Sequence, residues 1–259
     1  MSHSFRTKMG LKKPVFDPEI KQRLRPLMQL DNYHSILTIL WDWCLIFGAI
    51  YVNKCLSSHK KYLGFLFYPI TLLIIGGRMR ALANLLHEST HRCLAKSKLW
   101  NDFIGTVLSG WCILQSWTGY YENHIVLHHP HLGDPEKDPD FRQMIEIGLY
   151  NKNVTRADVV NYIKSIPSLR FTITYVKYIA KDRLFPKQET KLETILRMSF
   201  WITVAAVLYQ TGNMLNLIIF WFIPMLTTAN WIGNLAELME HYPLLQEGVD
   251  EMHASRNRF

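Results

Sequence analysis

Four stretches of this chain are almost free of charge: residues 35–52, 62–77, 194–209 and 215–232. A helix needs roughly 20 apolar residues to cross hydrocarbon. Inside lipid every backbone N–H and C=O must be paired within its own segment, which leaves helices or closed barrels as the spanning structures. The second run is short for a span. It is predicted to continue as helix through Arg78 and Arg80 to Leu86, with Gly76 and Gly77 offering a bend where it leaves the lipid. Tyr51, Tyr62, Tyr68, Trp201 and Trp221 sit near run ends, as in an aromatic belt. The rival for these runs is a set of buried helices in a soluble domain, which does not account for that placement.

The net charge of +8 is localised. Arg6, Lys8, Lys12, Lys13, Lys21, Arg23 and Arg25 crowd the N-terminal tail. Most of the remaining excess lies in segment 78–191, whereas loop 53–61 holds only Lys54, Lys60 and Lys61. The positive-inside rule then puts tail and middle segment on the cytoplasmic side. Interleaved acids and flanking spans favour anionic lipid headgroups over nucleic acid as the partner of this charge. The first apolar run starts too late for a signal peptide and lacks a small-residue cleavage site. Cys44, Cys55, Cys93 and Cys112 have no CxxC spacing and read as free thiols.

The predicted architecture is an all-α, polytopic membrane protein. About four spanning helices form two hairpins, with a helical cytoplasmic cap between them. Pro14, Pro18 and Pro26 keep the tail, 1–34, irregular. Within the cap, Asn101 or Asp102 is expected to start a half-inserted helix reaching about residue 117. A second helix covers 121–129 and ends before Pro130. Residues 133–140 carry turn chemistry, and 154–183 make one or two helices broken near Pro167.

The histidines sit at the ends of these apolar segments. His87 and His91 are four apart, so on a helix they share a face. His124 and His128 repeat that spacing, while His129 is turned by about 100° from His128. One helix end can therefore present imidazoles in two directions, which suits two metal ions. His241 lies just past the fourth run, and Glu237 stands one turn before it. Clustered neutral imidazoles are the commonest metal ligands, although an all-imidazole shell suits iron, zinc or copper alike. His3, His34 and His59 are read as bystanders, and His131 as ambiguous. Asp42 lies within a span, as either a functional carboxylate or a hydrogen-bond partner of a neighbouring helix.

These motifs carry a resemblance. His87-Glu88-Ser89-Thr90-His91, His124-Ile125-Val126-Leu127-His128-His129 and a later Glu240-His241-Tyr242-Pro243 resemble the membrane-bound fatty acid desaturase superfamily, bacterial type. The stretch from Arg80 to Glu88 and the loop from His131 to Asp140 strengthen it. The resemblance covers most of the chain from about residue 62, and makes 35–259 one desaturase-like membrane domain. It implies two non-haem iron ions, held by His87, His91, His124, His128, His129 and His241. Glu237 would hold a ligand water or orient an imidazole, and Glu88, Asp134 and Asp138 would support ligating histidines; turn capping or plain solvation is the alternative for those three acids. Dioxygen and an external electron donor, such as ferredoxin or a cytochrome b5-like protein, complete the chemistry. The product is a double bond in a fatty acyl chain of the lipid bilayer, or an alcohol if the member is a hydroxylase. The resemblance implies an integral protein of the bacterial inner membrane, with its site on the cytoplasmic side. One departure stands out. The superfamily has a final box near HxxHH, and here only His253 follows, before Arg256-Asn257-Arg258-Phe259. The expectation is a sequence truncated before that box; the alternatives are a member with different metal binding and an inactive fragment.

Two other classes compete. His87-Glu88-Ser89-Thr90-His91 also fits HExxH, the zinc metalloprotease motif with Glu88 as general base, but this leaves the triple-histidine box unexplained. A haem-binding bundle would place paired histidines inside facing spans, not beyond them.

Overall fold

A computed structural model describes residues 17–146, 149–150 and 154–245, and these form helices and turns without a strand. The basic residues Arg6 to Lys13, His3, His253 and the final Arg-Asn-Arg stretch lie outside the described residues. The first element, α1 (Pro18–Leu24), departs from the irregular start expected of a Pro-rich tail. Pro18 occupies its first turn, where a missing N–H costs nothing, and the Asp17 side chain accepts from the Glu19 amide.

Two helical hairpins carry the apolar runs. The first pairs α2 (Tyr33–His59) with α3 (Lys61–Thr90). The second pairs α9 (Lys191–Gln210) with a helical path that starts at α10 (Met214–Leu217). That path continues through π-helical turns at Ile218–Phe222 and Met225–Ala229 into α11 (Asn230–His241). All four are long and apolar enough to span a membrane. They do not hide their apolar faces in protein. Only 11% of the apolar window of α9 is buried, and Trp41, Phe47, Phe65 and Leu66 are exposed. Helices built for the interior of a soluble domain would cover such side chains; these face lipid.

At 30 residues, α3 is about 45 Å long, against roughly 30 Å of hydrocarbon. The extra turns lift His87 and His91 out of the apolar layer, as the continuing helical pattern predicts. Gly76 serves packing. A Cβ there would fall 2.0 Å from Thr228 Oγ1 and 2.7 Å from the Ala229 amide nitrogen. Thr228 Oγ1 in turn donates to the Leu72 carbonyl at 2.6 Å. Small residues permit this close approach between spans. Asp42 resolves to the helix-pairing role: Arg78 Nη1 of α3 donates to its Oδ1 at 3.0 Å, and the carboxylate is 1% exposed.

The cap begins with α4 (Lys98–Gly105), which runs through a π-turn (Thr106–Gly110) and a 3₁₀ turn (Trp111–Ile113) to a left-handed Leu114. Its N-cap is Ser97 and not the expected Asn101 or Asp102, because those polar residues are used differently. Asp102 pairs with Lys98 and Arg92, while Asn101 is buried against α3. Next come α5 (Trp117–Tyr121), a π-helical segment (Glu122–His128), a 3₁₀ turn (His129–His131) and α6 (Pro139–Glu146). Helices α7 (Arg156–Ser165) and α8 (Leu169–Tyr178) follow, broken beside Pro167 as expected, with a π-turn at Ile179–Arg183. Glu193 of α9 fastens the cap to the second hairpin. Its carboxylate accepts from the Trp117 and Thr118 amides, at 2.6 and 3.0 Å, and from Trp111 Nε1 at 3.2 Å. An anion at the N-terminal turn of α5 also meets the positive end of its peptide dipoles.

Gly76→Ala is expected to destabilise the chain by about 1–3 kcal/mol through overpacking. A thermal midpoint in detergent reads this. Gly77→Ala is the control: the nearest atom to its added Cβ is Ile232 Cδ1 at 3.9 Å, so its midpoint holds or rises.

Candidate metal centre

The last turn of α3 is shaped from behind. Ser89 lies between the two histidines and is fully buried. Its Oγ donates to the Asn101 carbonyl at 2.9 Å, and Asn101 Nδ2 donates back to the Ser89 carbonyl at 3.0 Å. Trp117 Nε1 donates to the same Ser89 Oγ at 2.9 Å. With that face clamped, His87 and His91 must point the other way. Their Nε2 atoms stand 3.2 Å apart.

The second histidine box meets them through a change of helix type. Residues 122–128 are π-helical, and the His129 amide donates to the His124 carbonyl. An i→i+5 ladder brings residues five apart into neighbouring turns. His124 and His129 consequently present Nε2 atoms 3.1 Å apart, each 3.3 Å from His91 Nε2. The straight α-helical reading had paired His124 with His128 and turned His129 aside. The two directions it anticipated exist, but His128 and His129 exchange places.

Ligand atoms of His87, His91 and His124 lie within 4.8 Å of one another, with His129 Nε2 close to two of them, and such imidazoles cannot all satisfy each other as donors and acceptors, since each neutral ring carries one N–H. They do suit a metal ion. Imidazole binds first-row metals at about 2.0–2.1 Å, and a tetrahedral shell of that radius has edges of about 3.3 Å. His124 is also in the right state. Burial first, then the charges His129, His87, His128 and His91 would carry, push the His124 imidazole far below its usual range. It is neutral, as ligation requires.

His128 faces a different environment. Its Nδ1 lies 2.9 Å from Asp138 Oδ1, with both side chains buried, and 3.5 Å from Asp140 Oδ2. Burial pulls its pKa down, but the Asp138 hydrogen bond and the Asp140, Asp138 and Glu237 charges outweigh it and raise the pKa to about 9. An ionised carboxylate only accepts, so Nδ1 carries the proton and Nε2 keeps the lone pair when the ring is neutral. The rings of His128 and His241 are 5.4 Å apart. Glu237 Oε1 lies 3.7 Å from His241 Nε2. Ligand atoms of His124, His128 and Asp140 lie within 4.8 Å of one another, and so do those of Glu237, Glu240 and His241. This second locus mixes imidazole with carboxylate.

The supporting acids divide. Asp138 accepts from His128 and from the amides of Gly133, Asp140 and Phe141, which fixes the loop beneath the ring. Glu88 lies 3.3 Å from His87 Nδ1. That places it on the side of the ring away from the Nε2 cluster, whereas a metalloprotease base must face the metal-bound water. Asp134 accepts from the Glu136 and Lys137 amides and holds a turn. His131 Nδ1 meets the Leu127 carbonyl at 2.9 Å. His34 pairs with Asp31, and His59 ends α2 at the opposite end of the hairpin from His87. Asp140 was overlooked as a donor; within the Asp-Pro turn sequence nothing marks it apart from Asp134.

A profile described as fatty acid desaturase matches residues 63–258. The chain is also similar to dihydrorhizobitoxine desaturase of Bradyrhizobium elkanii, with 31% identity over 250 residues that cover 94% of this chain and 69% of that protein. Replacing Asp138 with Ala should weaken metal binding by about 10–100-fold, the usual effect of losing a carboxylate behind a ligating histidine. Metal titration of the purified chain measures it.

Proposed function

The chain belongs to the fatty acid desaturase family, and within it we propose an oxygen-dependent, non-haem di-iron oxidoreductase that inserts a double bond into a saturated carbon chain. The observation that carries this reading is the convergence of His87, His91, His124 and His129 through their Nε2 atoms. These four would hold one iron. His128 and His241, with Asp140 and Glu237 beside them, would contribute to a second. When bound, the iron pair supplies the dioxygen chemistry that abstraction from an unactivated CH₂ requires. The electron balance is that of a desaturase. The substrate loses two hydrogens, the carrier gives two electrons, solvent gives two protons, and dioxygen leaves as two waters.

The protein's own groups prepare this. Asp138 and Glu88 hold the outer nitrogens of His128 and His87, which fixes the rings. Tyr120 stacks on His124 at 5.2 Å and shields it from water. In this reading, residues 35–259 act as one membrane domain, with the histidine end facing the cytoplasm of a bacterial inner membrane. A small electron carrier such as ferredoxin or a cytochrome b5-like protein docks on the basic face.

The full chain, expressed and purified, is expected to carry two irons. His128→Ala should lower both iron content and product. A single zinc per chain would support the peptidase instead, and unchanged metal in His128→Ala would remove that residue from the ligand set.

A further inference from the structure

A cavity of about 220 Å³ lies between α3, α11 and the cap, beside the metal centre. Asp140 and Glu237 belong both to its wall and to the centre. The remaining wall is mixed: Met79, Ile113, Leu149 and Met225 give it an apolar part, and polar groups the rest. Arg80, Arg183, Asn230 and the tyrosines Tyr162, Tyr175 and Tyr178 all line it. Arg183 is held in place: its guanidinium lies 5.5 and 5.4 Å from the Tyr175 and Tyr178 ring centres, and Nη1 donates to the Ile113 carbonyl at 3.4 Å. Among the described residues it has no ion-pair partner.

A second observation is independent of the lining. Arg183 Nε and Asn230 Nδ2 are buried donors without a hydrogen-bond partner. Asn230 is 3% exposed, and its Oδ1 already accepts from Asn234 Nδ2 at 2.7 Å, so the unpaired group is the NH₂. Buried polar groups in native structures are normally paired, and exceptions call for an explanation. Glu237 Oε1, on the metal side of the same wall, also lacks a hydrogen-bond partner; the two donors elsewhere in the lining, one of them on a cation, are matched by an anion.

We infer that this cavity is the substrate's anion site, taking a small molecule whose carboxylate lies on Arg183 and Asn230 and whose short saturated chain reaches the metal centre. This rests on the desaturase reading of that centre and narrows its substrate to a free short-chain carboxylate. Size agrees, since pockets for drug-sized ligands run to about 300–1,000 Å³. Chemistry agrees too. A long acyl chain would press methylenes against the unpaired Arg183 Nε and Asn230 Nδ2, and a site built around hydrogen bonds rejects a ligand that leaves them unmade.

The test uses the whole chain in detergent with octanoate, octanol and palmitate as probes, read by calorimetry. Octanoate is expected to bind at least tenfold more tightly than either comparator. Arg183→Lys, which keeps the charge but loses the planar fork and its ring contacts, should weaken octanoate at least tenfold. Gly233→Ala guards against misfolding as the cause. Gly233 lines the cavity, and its added Cβ meets only Arg80 Cδ at 3.8 Å. That variant should keep its thermal midpoint and bind octanoate about threefold more weakly by taking up cavity space. Octanol binding as tightly as octanoate, or octanoate affinity unmoved by Arg183→Lys, overturns the anion site; palmitate binding as tightly as octanoate overturns the short chain. Iron is counted alongside. A chain with two irons that desaturates a palmitoyl lipid and ignores octanoate sinks this inference alone. A chain that takes no iron yet binds octanoate as described sinks only the reading of the centre.

Discussion

Everything at the metal end depends on the buried hydrogen bonds behind Ser89. A helix that leaves lipid has nothing intrinsic to fix its rotation, and the last turn of α3 would otherwise be free to fray. Ser89, Asn101 and Trp117 supply that fixation from the face opposite the histidines. Gly105 makes it possible, because a Cβ there would lie 2.1 Å from Ser89 Cβ. The constraint then passes outward. Trp117 opens α5, and the carboxylate of Glu193 on α9 grips that same turn through its amides. Arg197, one turn further along α9 and fully buried, makes two bonds with Glu189 and reaches the Leu184 carbonyl at 2.8 Å. First hairpin, cap and second hairpin are thus joined by polar contacts in which nearly every member is satisfied, the condition under which a buried network rigidifies a structure.

π-helical turns are the second device. They are rare in proteins and concentrate at functional sites, yet five occur among the described residues. The one at 122–128 decides which imidazoles meet. A sequence read at 100° per residue assigns His124 and His128 to one face, and the residue types give no warning that the ladder shifts by one. The spans were legible because hydropathy and length are properties of a single segment. So were the histidine boxes, whose spacing is local. The break at Pro167 and the onward run of α3 followed from the same local rules.

Long-range partnerships were not legible. Asp42 announces itself as a costly intramembrane carboxylate, but its partner, Arg78, looks like the first charge beyond a span until the two helices are packed side by side. Asn101 and Asp102 look like helix caps because that is the commonest use of such residues at such a position. Tertiary contacts with Ser89, Arg92 and Lys98 claimed them instead. Asp140 and the cavity residues Arg183 and Asn230 come from three separate parts of the chain, so only folding brings them to one wall.

The two halves of the centre also differ in charge, and this follows from their surroundings. His87, His91, His124 and His129 offer nitrogen alone, and burial keeps His124 neutral. A cation there would retain its full charge. Beside it, His128 and His241 sit with Asp138, Asp140 and Glu237, whose charges pull the His128 pKa upward. A cation there would be largely offset. Environments that drive neighbouring groups apart are how one site supports two roles. The cavity borders the carboxylate-rich side, with Asp140 and Glu237 in its wall. An anion held in the cavity would lie near those acids, and Arg80 and Arg183 on the same wall offset their charge.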